Sequence, residues 1–164
     1  MIHSVDAPTD LLIMACHITG VYDVNRNMTL EPDDYSLIQS WVESVTSAKL
    51  KGIIFHNNLS KETCETYANE FISFIEIEYK AEFNPNVFRY FVYRDYLKKH
   101  ATQIRAVFVT DVSDVVLLNN PFKDSMFINQ TDAIFCGDED KALDNEWMHD
   151  HSAHLREQIS DYAD

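Results

Sequence analysis

The sequence predicts an α/β fold, with a mostly parallel central sheet flanked by helices. Three observations carry the prediction. Compact apolar runs, Asp10 to Ile18 and Gly52 to Asn58 among them, have the length and make-up of strands buried on both faces. Other segments place apolar residues at helical spacing. The two kinds alternate along the chain, the order that builds βαβ units.

The first strand is "DLLIMACHI", followed by a polar stretch, "TGVYDVNRNMTLEPDD", long enough to be a functional loop. Leu37, Ile38, Trp41, Val42 and Val45 then mark an amphipathic helix, with Asp33 or Asp34 placed to cap its start. "GIIFHNN" is the second strand, and Ser60 opens a helix striped by Cys64, Tyr67, Ala68, Phe71 and Ile72. "FIEIEY" alternates strictly and predicts a third, more exposed strand. After Pro85, "NVFRYFVYRDYLKKH" predicts a helix with Phe88, Phe91, Val92 and Tyr96 inward, Tyr93 outward and a basic last turn that suits its dipole. "IRAVFVTD" is the fourth strand, "DVVLL" a short fifth and "DAIFCGDE" a sixth beginning at Asp132. The remaining tail is polar and weakly patterned and has no closing strand, so the chain reads as an N-terminal part of something longer.

A length of 164 residues, 46% of them apolar, supports one core and one domain. The formal charge of −14 surrounds the chain with a field of the wrong sign for nucleic acid, which is therefore not an expected partner. A small phosphorylated ligand is compatible with that charge, because a cation held by carboxylates reverses the field locally. Cys16, Cys64 and Cys136 are widely spaced within apolar segments and read as buried free thiols. With no export signal and no apolar run near 20 residues, the expectation is a soluble cytoplasmic protein without a membrane span.

In parallel sheets ligands bind at the carboxyl ends of the strands. The polar residues there are His17, His56 to Asn58, Asp111 to Asp114, and the group after the sixth strand. The three glycines, Gly20, Gly52 and Gly137, are too scattered for a dinucleotide fingerprint or a phosphate-binding glycine loop. A metal is the substitute for such a loop. Asp111 and Asp114 offer two hard oxygen ligands on a short turn, which suits Mg²⁺ or Mn²⁺ with positions left for diphosphate oxygens. On spacing alone both also read as solvated turn residues. His149, His151 and His154 read better as a solvated helical face than as a zinc site.

The run "AVFVTDVSDVVLLNNPF" resembles the acidic motif of GT-A-fold glycosyltransferases, in which an apolar strand, an Asp-x-Asp or Asp-x-x-Asp, a short apolar strand and a Pro-Phe turn follow in order. The order of "LLIMACHITG", "IIFHNN", the arginine-bearing helix and "IFCGDED" is similar to that group over roughly residues 10–140, with the acidic motif the specific part. A further likeness is to glycosyltransferases encoded by large algal DNA viruses. The resemblance implies a Rossmann-like GT-A donor domain, cut short at its C-terminus, that moves a hexose from a nucleoside diphosphate sugar, a UDP-sugar first, to a hydroxyl of a glycan. It implies Asp114 as main metal ligand, with Asp111 at the metal site too, bridging toward the ribose or a metal-bound water. Ala15, Cys16 and His17 would lie against base and sugar, Asn57 would line the cleft, and Arg89 would neutralise the diphosphate. One of Asp138, Glu139 and Asp140, with Asp138 the first candidate, would serve near the sugar as base or orienting group. The spacing of three departs from the commoner Asp-x-Asp and leaves open which carboxylate touches the metal. The rivals are an acidic α/β binding module and an aspartate-based phosphohydrolase, which usually carries its motif near the start of the chain.

Overall fold

The computed structural model describes residues 10–23, 27–125 and 133–135. The chain divides into two compact units, 1–129 and 130–164. In the second, residues 133–135 are described and form neither helix nor strand. The rest of the expected sixth strand, Cys136, Asp138 and the late histidines lie outside the described residues.

The first unit is built on a four-stranded parallel sheet. Its strands are β1 (Asp10–His17), β4 (Lys51–His56), β5 (Ile72–Glu76) and β6 (Ile104–Val109), in the order β5-β4-β1-β6. β2 (Tyr22–Asp23) and β3 (Met28–Thr29) form a small antiparallel pair inside the polar stretch after β1. The helices are α1 (Gln39–Ser47), α2 (Lys61–Tyr67) and α3 (Pro85–His100). The expected α/β class with a parallel sheet flanked by helices is what forms.

Strand alternation sorts the side chains into two cores. Ile13 and Ala15 of β1, Ile54 of β4 and Ile72 of β5 pack with Trp41, Val42 and Val45 of α1. Leu12, Met14, Ile53 and Phe55 point the other way and meet Tyr93, Val92, Tyr96 and Leu97 of α3. Burial on both faces explains why β1 and β4 read as continuous apolar runs. Trp41, Ile13, Met14 and Ile54 are fully buried, and each aliphatic among them contributes about 1.5–3 kcal/mol by leaving water. Gly52 lets α1 and β5 approach β4 closely: a Cβ there would lie 2.9 Å from both Val45 Cγ1 and Ile72 Cδ1 and 3.0 Å from Trp41 Cη2.

The helix ends follow their capping residues. Asp34 accepts a hydrogen bond from the Ser36 amide (3.0 Å) and starts a 3-10 turn, Tyr35–Leu37, ahead of α1. Asp33 serves another helix, accepting from the Ser60 amide at 2.7 Å, while Ser60 itself caps α2 through the Thr63 amide. Asn84 caps α3, whose first residue is Pro85 and whose last turn carries Lys98, Lys99 and His100.

Three expectations are corrected. The third strand starts earlier and stops sooner than "FIEIEY", at Ile72–Glu76, because the helix opened by Ser60 ends at Tyr67, short of the expected Phe71 and Ile72. In α3 the phenol of Tyr93 is buried and Phe91 is partly exposed, because the sheet face that α3 covers is set by Phe55, which packs on Tyr93 and Tyr96. Asp114–Leu118 is not a strand. Its alternation is real, since Val115 and Leu117 pack on the first core while Val116 and Leu118 are exposed, but the Leu117 amide bonds the Ser44 hydroxyl of α1 instead of a neighbouring strand.

Candidate functional site

β1 and β6 are neighbours reached by opposite routes: the chain leaves β1 toward β4 and β5 on one side and returns to place β6 on the other. This is a topological switch point, and the crevice at the carboxyl ends of such strands is where open α/β sheets bind ligands. The last register pair of β1 and β6 is Met14 with Val109, and the Thr110 amide adds one bond to the Met14 carbonyl (3.0 Å). β1 continues to Cys16 and His17 against β4 alone, opposite Phe55 and His56. Beyond Met14, then, β1 and the chain after β6 part company.

The residues leaving β6 alternate in direction. Thr110 is buried, and its hydroxyl accepts from the indole Nε1 of Trp41 at 2.8 Å. Asp111 is half exposed and ion-paired with Arg89 of α3. Val112 turns back into the first core. Further on, the Ser44 hydroxyl donates to the Trp41 carbonyl (2.9 Å) and accepts from the Leu117 amide (3.1 Å). The acidic turn is thus fastened to one turn of α1 at both its ends, with Asp114 exposed between them.

Arg89, Asp111 and Cys16 all bear on the protonation of Tyr93, and Arg89 bears on that of Cys16. Burial works against the Arg89 charge, but the Asp111 hydrogen bond and carboxylate outweigh it and hold the guanidinium firmly protonated. Burial raises the Tyr93 phenol, reinforced by Cys16 and opposed by Arg89. The Cys16 thiol is pushed up to about 12, by burial first and against the pull of Arg89, which keeps it protonated. Two donors in this cluster, the Tyr93 hydroxyl and Arg89 Nε, are buried and have no hydrogen-bond partner among the described residues.

The other sequence-derived candidates have structural work. Ala15 is fully buried in the first core. His17 is buried at the end of β1. The Asn57 side-chain amide accepts from the Thr19 amide and donates to its carbonyl, both at 3.0 Å, so it extends the β1–β4 pairing as a peptide group would. Asn58 adds a second bond to the Thr19 carbonyl (2.8 Å), and the chain then turns at Gly20, whose φ is +74°. His56 is buried; its Nδ1 accepts from the Leu59 amide and its Nε2 meets Cys64 Sγ at 3.4 Å. Arg94 pairs with its neighbour Asp95 on the surface, leaving Arg89 as the arginine of α3 that meets the acidic turn. Cys16 and Cys64 are free thiols, half-buried where full burial was expected.

Comparison with protein-family models, with curated proteins and with solved structures gives no match. Among the described residues no group of three or more His, Cys, Asp or Glu side chains is arranged to hold a metal. Mg²⁺ needs fewer, because it retains waters and takes one or two protein carboxylates plus ligand phosphates. Asp111 and Asp114 are the two carboxylates exposed on the turn after β6, and Asp111 is already paired with Arg89. A cavity of about 460 Å³ between α1 and the C-terminal end of α2, bordered by Tyr35, Glu43, Tyr67 and Asn69, contains none of the crevice residues. No described helix is long and apolar enough to cross a membrane.

Sequence reasoning missed Trp41, Ser44, Thr110 and Tyr93 as parts of this region. Trp41 and Thr110 are 69 positions apart, and the only local signal was a buried-type aromatic on a helix face.

Proposed function

We propose that this chain is the donor-binding domain of a metal-dependent glycosyltransferase that moves a hexose from a nucleoside diphosphate sugar, a UDP-sugar, to a hydroxyl of a glycan acceptor. The observation that carries the reading is the location of the acidic turn: Asp111 and Asp114 follow β6 directly at the switch point beside β1. Support comes also from Arg89, a cation ion-paired with Asp111 on that turn and held protonated there, the kind of group an oxygen-rich anion requires.

In this reading Asp111 and Asp114 hold Mn²⁺ or Mg²⁺, and the ion when bound supplies positive charge opposite the departing diphosphate. Arg89 adds a fixed guanidinium for a phosphate oxygen, and Asp111 orients that guanidinium. Tyr93, kept protonated by burial, adds no competing negative charge beside that guanidinium. Cys16 stays protonated as well.

A second reading, a non-enzymatic acidic α/β binding module, draws on the fact that Asp111 already has a partner in Arg89. Calorimetric titration of UDP with and without Mn²⁺ separates the two. The donor-domain reading expects Mn²⁺-dependent binding that Asp111→Ala and Asp114→Ala each abolish in folded protein. Absence of binding to the wild-type chain, or unchanged metal-dependent binding in both variants, would falsify it and leave the module.

A further inference from the structure

We infer that helix α1 is the positioning element of the acidic turn, acting through Trp41 and Ser44 on Thr110 and Leu117. The inference rests on the proposed donor site and goes beyond it by naming residues that touch neither metal nor nucleotide. Trp41 and Ser44 are three apart and so share one face of α1. Trp41 is fully buried, and its indole N–H donates to the Thr110 hydroxyl, in the residue immediately before Asp111. Ser44 is buried too, and its hydroxyl is fixed by donating to the Trp41 carbonyl, which aims a lone pair at the Leu117 amide. Both anchor points therefore belong to a single rigid helical turn, seated against Gly52 of β4.

The geometry between the anchors follows. With Thr110 and Val112 both turned toward the α1 side, Asp111 must face the α3 side, where Arg89 meets it. Asp114 is carried on the span between Val112 and Leu117, so its reach is limited by where those two residues are held. Carboxylates that receive a cation in only two positions depend on such outer support, whose loss typically weakens metal binding or activity about 10- to 100-fold.

The test compares Thr110→Val, which keeps shape and removes the hydroxyl, with Thr110→Ser, which keeps the hydroxyl, and adds Ser44→Ala. Mn²⁺-dependent UDP binding is measured calorimetrically well below each variant's melting temperature, so that a simple loss of stability does not enter the dissociation constant. Thr110→Val and Ser44→Ala are expected to weaken the Mn²⁺-dependent component about 10- to 100-fold, with Thr110→Ser within about threefold of wild type. Hydrogen exchange should show the Leu117 amide losing protection in Ser44→Ala. If wild type binds and the Val and Ala variants bind equally well, α1 has no positioning role and the donor site stands without it. If wild type binds neither Mn²⁺ nor UDP, the donor-site reading falls and the positioning role falls with it.

Discussion

Replacing Gly52 by alanine tests the packing that seats α1. The new methyl group would sit 2.9 Å from Val45 Cγ1 and Ile72 Cδ1 and 3.0 Å from Trp41 Cη2, all inside ordinary contact distance. Ile72 Cδ1 is the end of a flexible side chain and can swing away. Val45 has one stiff torsion and Trp41 is a rigid ring, and both are fully buried. Overpacking of this kind costs about 1–3 kcal/mol, and alanine recovers about 0.5–1 kcal/mol of the conformational cost of glycine in a strand. Taking the middle of each range, the net expectation is a loss of about 1 kcal/mol, which for a chain of this size lowers the melting temperature by about 2–4 °C. Urea denaturation followed by far-ultraviolet circular dichroism gives the free energy, and near-ultraviolet dichroism reports the repacking of Trp41. A midpoint equal to or above wild type would refute the reasoning, since it would mean that α1 lifts from β4 at no cost.

Other outcomes follow from single residues. His56 is held neutral by burial, which lowers its pKa against smaller opposing effects of Glu76 and Asp33. The unfolded chain, with an ordinary histidine near pH 6.5, therefore binds more protons as the pH falls. The stability contributed by His56 is present above about pH 6.5 and declines below it; His56→Gln should flatten that decline, and parallel pH profiles for wild type and variant from pH 8 to 5 would contradict it. Lys49 ends α1 in the left-handed region, with φ of +55° and the Leu50 amide bonding the Val45 carbonyl. Glycine relieves about 1–2 kcal/mol of strain there but adds about 0.5–1 kcal/mol of chain entropy, so Lys49→Gly should raise stability by up to about 1.5 kcal/mol in thermal melts, and a lowered midpoint would contradict it.

Local signals reached most of the sheet. The runs around Ile13 and Ile54 are apolar on both faces because helices cover both, and this is visible in composition alone. Ser60 announced a helix start through side-chain chemistry that acts within three residues, whereas Asn84 and Pro85, which cap and open α3, were read only as the turn before it. Asp114–Leu118 misled because alternating burial has the same period whether or not a neighbouring strand supplies the ladder. The orientation of α3 was hidden for a related reason. Phe88, Tyr90, Phe91, Tyr93 and Tyr96 ring the helix with aromatics, and which of them turns inward is decided by the sheet and not by the helix. Asp111 and Arg89 were each legible as candidates, but that they pair is a matter of topology, since α3 crosses from β5 to β6 between them. The Trp41–Thr110 bond depends on the same crossing and left no trace in either local stretch.

The strand order also sets a schedule. β1, β4 and β5 pair in the sequence in which they leave the ribosome, so three strands and α1 can assemble while the rest is still being made. β6 must instead return to the far side of β1, matching Asp10 to Ile104 across most of the described chain, and contacts of such long range are slow to close. The Thr110–Asp111 turn follows β6 and cannot meet Trp41 or Arg89 before that closure. The strand order therefore sets the expectation that the acidic turn gains its contacts with Trp41 and Arg89 only after β6 has paired with β1.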